Sequence, residues 1–212
     1  MGQYYTPVIR SSDGDMQKLY SHDYDNGLKL MEHSYLANDF VNAVLFTMED
    51  ICKEMDYVQL YWMGDYANDV IPKDDKEKMA AYRYSRNEKK PYYKFELTKD
   101  VQTTIGWLVH NLDKHMVLNI PSFSYGYCTI NILPLLTNCG NGQGGGDFDG
   151  VLKLDGEEVS VNEIGPWAGD RLNVIGIHSN YYDEVELAWE CIKNNDPDVK
   201  RFYPEIYVKE GL

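Results

Sequence analysis

Four cysteines are all that the 212 residues contain, at Cys52, Cys128, Cys139 and Cys191, and no two of them form a Cys-x-x-Cys pair or close a short loop. A zinc ribbon and a dense disulfide framework are thereby excluded, and scattered thiols of this kind suit a reducing compartment. Long apolar runs are missing too: no window approaches the ~18 apolar residues of a membrane-spanning helix. No basic stretch followed by an apolar one opens the chain, so a secretory leader is not expected. Met1 to Thr6 fits the loose N-myristoylation pattern, but Pro7 follows at once.

Cations are scarce. Lys and Arg number 20 against 34 Asp and Glu, a formal charge of −14 at pH 7. That balance argues against a basic groove for nucleic acid and against adhesion to anionic membranes, and it favours a basic or cationic partner. Motifs of hydrolytic and nucleotide chemistry are lacking as well. There is no Gly-x-Ser-x-Gly, no His-Glu-x-x-His and no Gly-Lys-Ser/Thr loop ending, and the acidic residues are too few and wrongly spaced for a calcium-binding helix-loop-helix. No metal site and no cofactor are expected. Without repeats or coiled-coil heptads, a structural role in a virion is disfavoured.

What the chain does have is aromatic and apolar material: 18 Tyr, 4 Trp and a hydrophobic fraction of 43%. This composition specifies an ordered globular protein, and the length suits one core, so residues 1–212 are read as a single domain. Gln3 to Arg10 predicts a first strand and Met16 to Tyr20 its hairpin partner across the Ser11–Asp15 turn. Leu28 to Glu32 reads either as a short helix or as an extended piece. From Asn38 to Met55 apolar residues recur at steps of three and four, from Phe40 and Val41 through Val44, Leu45 and Met48 to Ile51, Cys52 and Met55. This is an amphipathic helix that Asn38 or Asp39 caps, with Glu49, Asp50, Lys53 and Glu54 on its polar face.

Asp56 to Met63 predicts a central strand. Residues 68–91 read as a charged surface insertion with a short helix around Lys76 to Arg86. Tyr92 to Leu97 alternates as another strand, and Gly106 to Ile120 predicts a hairpin turning at Leu112-Asp113-Lys114, which sets His110 and His115 opposite one another as surface residues rather than metal ligands. Further strands are predicted around Asp155-Gly156 and over Arg171 to Ile177, a smaller helix over Glu184 to Ile192, and a C-terminal extension from about residue 196. Hairpins dominate. The fold class is therefore α+β, a mainly antiparallel sheet packed by one long amphipathic helix.

Titratable groups concentrate between Tyr20 and His33, where His22, Asp23, Asp25, Glu32 and His33 surround a turn at Asn26-Gly27. A second unusual stretch, Thr137 to Gly150, carries glycine at 140, 142, 144, 145 and 146, which lets a ligand approach main-chain N–H groups. Trp167-Ala-Gly-Asp170 echoes Trp62-Met-Gly-Asp65 beside another strand. The candidate ligand-binding residues are accordingly Tyr24, Asp25, Asp65, Asn141, Gly144, Gly145, Asp147, Trp167 and Asp170. Convergence requires the 22–25 corner, Asp65 and the 141–147 loop to fall within about 20 Å, the span of an ordinary small-molecule pocket.

The opening Met-Gly-Gln-Tyr-Tyr, the Ser21-His-Asp-Tyr-Asp-Asn-Gly-Leu-Lys-Leu-Met-Glu-His-Ser34 segment, Gly64-Asp-Tyr-Ala67, Leu133-Pro-Leu-Leu-Thr137 with Gly140-Asn-Gly-Gln-Gly-Gly-Gly-Asp147, and Trp167-Ala168 resemble a family of uncharacterised bacteriophage and bacterial proteins. The resemblance implies a phage or mobile-element accessory protein acting in the cytoplasm of a bacterial host cell, and it transfers no catalytic residue. Two function classes follow. One is an acidic binding or inhibitory module that occupies a host defence protein, such as a CRISPR effector, or sequesters a small nucleotide signal. The alternative is a hydrolase or transferase in which His22 exchanges a proton, oriented by Asp23 or Glu32, with Asp65, Asp147 or Asp170 nearby.

Overall fold

The computed structural model describes residues 2–97, 106–121, 130–142, 150–154, 157–159, 161, 163–178, 181–202 and 205–208. β1 (Tyr5–Ser11) and β2 (Met16–Lys18) form the expected hairpin, with Val8 opposite Lys18. A 3-10 turn over Ser21–Tyr24 follows, and α1 (Leu30–His33) resolves the Leu28 to Glu32 segment as helical. Next come α2 (Asp39–Glu54), β3 (Val58–Gly64) and α3 (Lys76–Ser85). Asn38 caps α2, its Oδ1 accepting from Val41 N at 2.7 Å. β4 (Gly106–Asn111) and β5 (Met116–Pro121) make the second hairpin. The chain continues through α4 (Leu133–Leu136), β6 (Asn138–Cys139), β7 (Gly150–Leu154), β8 (Glu157–Val159), β9 (Arg171–Ile177), α5 (Tyr181–Asn195), β10 (Lys200–Phe202) and β11 (Glu205–Val208).

Among the described residues eight strands share one sheet in the order β10-β5-β4-β9-β3-β1-β2, with β6 also paired to β3. β10 on β5 and β6 on β3 are parallel pairs, and the others are antiparallel. β7, β8 and β11 form a separate small antiparallel sheet. The fold class is α+β as the hairpin-rich pattern predicts. No helix among the described residues is long and apolar enough to cross a membrane.

β3 is buried at every position because helices lie on both faces of the sheet. Its alternation divides the core: Val58, Leu60 and Trp62 pack with Phe40, Val44 and Met48 of α2, while Tyr61 and Met63 pack with Val8 and Ala81 of α3. Farther along the second face, Leu108 and Val117 meet Val185 and Ile192 of α5. One long helix is therefore not the whole cover. α5 has 15 residues against 16 in α2, longer than the Glu184 to Ile192 stretch its apolar positions predict, because its first and last turns are polar.

The charged 68–91 segment is anchored rather than detached. Lys18, 1% exposed, donates through Nζ to Ser85 O and Asn87 O at the end of α3, where helix carbonyls favour a cation. Tyr92 to Leu97 corrects the strand expectation. It joins no sheet, since Tyr93 N donates to Lys18 O while Phe95 N is taken by the Tyr24 hydroxyl at 2.7 Å, which interrupts any ladder. Past Asp196 the chain returns to the sheets, β10 pairing with β5 and β11 with β7. The Asp155-Gly156 turn lies outside the described residues, although β7 and β8 pair as its hairpin requires.

Candidate functional site

The corner that holds most of the titratable groups is built around a buried histidine. His33 Nδ1 accepts from Trp62 Nε1 at 2.8 Å and Nε2 donates to Gly27 O at 2.8 Å, so both ring nitrogens are used and the imidazole is neutral. Burial pushes its pKa down to about 4. Glu32 is committed as well, its Oε2 accepting from Lys29 N at 2.8 Å as the cap of α1. Gly27 allows this: a Cβ there would lie 2.0 Å from Glu32 Oε2. His22 stands exposed with its ring edge against Tyr20 at 4.9 Å, and its side chain makes no hydrogen bond or ion pair among the described residues. Asp23 and Asp25 are exposed beside it. Tyr24 is a structural peg, donating to Phe95 O and accepting from Phe95 N.

Asp65 and Asn141 meet through the chain's opening residues. Tyr4 N donates to Asp65 Oδ1 at 3.1 Å and Asp65 N to Tyr4 O at 2.9 Å. The buried Gln3 Oε1 accepts from Tyr5 OH at 2.6 Å and from Asn141 N at 3.2 Å, and Gly64 and Gly140 leave room for that side chain, since a Cβ at either would approach it to 2.6 Å. The Gly-Gln-Tyr-Tyr opening, the Gly64-Asp65 strand end and the foot of the glycine-rich stretch are thus one packing unit. Tyr5 N also donates to Leu28 O, and three residues of chain bring Asp25 within about 10 Å of that point. Gly144, Gly145 and Asp147 lie outside the described residues.

Two candidates fall elsewhere. Trp167 is fully buried, its ring 5.5 Å from that of Phe202, and it serves the core. Asp170 accepts from Asn111 Nδ2 at 2.7 Å and pairs with Lys114. It follows Gly169, whose carbonyl is held by Gln59 near the opposite end of β3; Gln59 and Gly64 are five residues apart, about 16 Å of strand. Asp65 and Asp170 therefore do not share a site.

The sequence reading missed a cleft of about 300 Å³ between the β1–β2 turn and the last turns of α2. Asp13 and Asp15 line it from the turn, Asp50 and Glu54 from the helix, with Ile51 and Met55 as apolar floor and Tyr93 at the rim. The hydrogen bond from the Ser11 hydroxyl holds the Asp13 carboxyl below its ordinary range. Burial, with Asp50 nearby, pushes the Tyr93 hydroxyl up. Gln17, also on the lining, has a buried Oε1 with no hydrogen-bond donor. Lys53 offsets one carboxylate, Asp50, at 2.9 Å. Acceptors and negative charge face this cleft, and the C-terminal carbonyls of α2 add to both. One feature of the sequence points to it: Asp50 and Glu54 stand in the last turns of a helix, where carboxylates oppose the helix dipole.

No group of three or more His, Cys, Asp or Glu among the described residues is arranged to hold a metal ion. Burial raises the Cys52 thiol pKa and pushes that of Cys139 up to about 12, so neither supplies a ready thiolate. No family model matches the chain, and neither the curated proteins nor the solved structures give a match.

Proposed function

We propose that the protein is a binding and inhibitory module of phage or mobile-element type, acting in the bacterial host cytoplasm, whose acidic cleft engages a basic segment of a host protein such as a defence effector. The observation that carries this reading is the convergence of Asp13, Asp15, Asp50 and Glu54 on one cleft in a chain of net charge −14. An acidic inhibitor that occupies a basic groove needs carboxylates gathered on one face, and here two separate elements supply them. The same field repels phosphate, which favours a protein partner over a nucleotide signal. A His22-centred hydrolase gains no comparable support, since Glu32 is spent on a helix cap and the His22 side chain has no polar partner among the described residues.

The experiment is native mass spectrometry of the protein recovered gently from expressing bacterial cells, beside a variant carrying Asp13→Asn, Asp15→Asn and Glu54→Gln. A basic protein retained at stoichiometric mass by the first, absent from the variant and released by high salt, is the expected result. Retention of a nucleotide, or of the same partner by both forms, overturns the reading.

A further inference from the structure

A second cleft, of about 490 Å³, lies between the β4–β5 turn and the end of α5. His110 and His115 do face the same region, but both aim at a residue distant in sequence. His115 Nδ1 lies 2.7 Å from Asp196 Oδ2, and His110 Nε2 lies 3.4 Å from the same oxygen. A carboxylate accepts only, so His115 donates through Nδ1. The His110 side chain is 9% exposed, buried rather than on the surface as its place in the hairpin predicts, and its Nε2 is turned to that carboxylate.

The amides in this cleft are biased the same way. Asn195 spends its Nδ2 on Cys191 O at 3.1 Å and Asn173 its Nδ2 on Asp56 O at 3.5 Å, while the Oδ1 of each accepts nothing among the described residues. The last carbonyls of α5 face the same end, and a helix C-terminus favours a cation. The nearest cations of the turn are already paired, Lys114 with Asp170 and Arg171 with Asp113. Leu112, Ile192 and Pro197 supply apolar wall.

An acceptor-lined cleft with one carboxylate and apolar sides calls for a ligand that only donates, carries positive charge and has a short hydrocarbon stem. We propose that this cleft binds a primary alkylammonium group, its three N–H donors directed to Asp196 and to the Oδ1 atoms of Asn173 and Asn195, and its methylenes along Leu112 and Ile192. An ammonium has three donors and no acceptor, which suits a carboxylate and two amide oxygens; a carboxylate or phosphate ligand would meet the Asp196 charge with no unpaired cation of the turn beside it. This site is separate from the acidic cleft and does not depend on the partner proposed there.

The test is a titration of the intact protein with cadaverine, with Nα-acetyl-lysinamide and with 1,5-pentanediol, followed through the imidazole resonances of His110 and His115 by NMR. Saturable shifts with cadaverine, and none with the diol, are expected. Asp196→Asn should weaken cadaverine by about tenfold or more, the loss expected for a charged hydrogen bond. Because Asp196 also holds His115, Asn173→Leu is the second variant, and it should weaken binding while leaving the His115 resonances of the free protein in place. Binding of the lysine amide without cadaverine keeps the ammonium assignment and puts its source on a peptide. No shift with either amine, or equal shifts with the diol, overturns the proposal.

Discussion

Between Trp62 and His33 two residues from distant parts of the chain share one buried hydrogen bond, and the histidine is spent on architecture rather than chemistry. Its folded pKa, about 4, lies below the ordinary 6.5. The contribution is therefore fully present above about pH 6.5 and is lost as pH falls toward 4, an effect of roughly 3 kcal/mol. Urea unfolding at pH 7.5, 5.5 and 4.5 should show that loss. His33→Phe should cost about 2–3 kcal/mol at pH 7.5, because Trp62 Nε1 and Gly27 O lose their partner, and the variant's stability should then fall less steeply over the same interval. Gly165 offers a steric test at the same scale. A Cβ there would sit 2.3 Å from Leu136 O and 2.5 Å from Leu135 O, which are backbone atoms that cannot swing aside. Gly165→Ala should lower stability by about 3 kcal/mol or more, readable as a drop in Tm, since overpacking against a fixed main chain has no cheap relief.

At the scale of elements, α2 carries a conflict that the binding reading explains. Glu54 stands at the C-terminal end of the helix, where a carboxylate opposes the dipole. Glu54→Gln should raise the stability of the free protein by about 0.3–1 kcal/mol and should weaken capture of a basic partner; a variant that loses both stability and binding would make Glu54 an ordinary structural residue. The opposite end is plain in the sequence, since the Asn38 cap and the apolar steps from Phe40 to Ile51 specify α2 almost to the residue. β3, β4, β5 and β9 were legible for the same reason, local pattern sufficing wherever a strand is both apolar and bounded by turns. Tyr92 to Leu97 has the strand pattern, but beyond the Tyr93 to Lys18 contact the Tyr24 hydroxyl takes Phe95 N and stops the ladder, which only tertiary structure could reveal. β10 was invisible because three residues, Lys200 to Phe202, pair in parallel with a strand about 80 positions earlier. The acidic cleft stayed hidden for a related reason: Asp13 and Asp50 come together only when the β1–β2 hairpin docks beside α2.

Across the whole molecule the excess of carboxylates acts on folding and on binding in opposite senses. Net charge far from zero strains the compact state through self-repulsion, and the cleft places Asp13, Asp15, Asp50 and Glu54 on one seam. The proposed cationic partner would relieve that strain, so affinity would be gained from charge placement that costs the free protein some stability. Added salt screens both effects, because the Debye length falls from about 30 Å at 0.01 M to about 8 Å at 0.15 M. Raising salt over that interval should therefore raise the Tm of the free protein while weakening its hold on a basic partner, and the neutralised Asp13→Asn, Asp15→Asn, Glu54→Gln variant should show a smaller dependence in both measurements. If Tm instead falls with salt, attraction outweighs repulsion among these charges. The cleft would then be satisfied by its own cations, with no excess field left to recruit a partner.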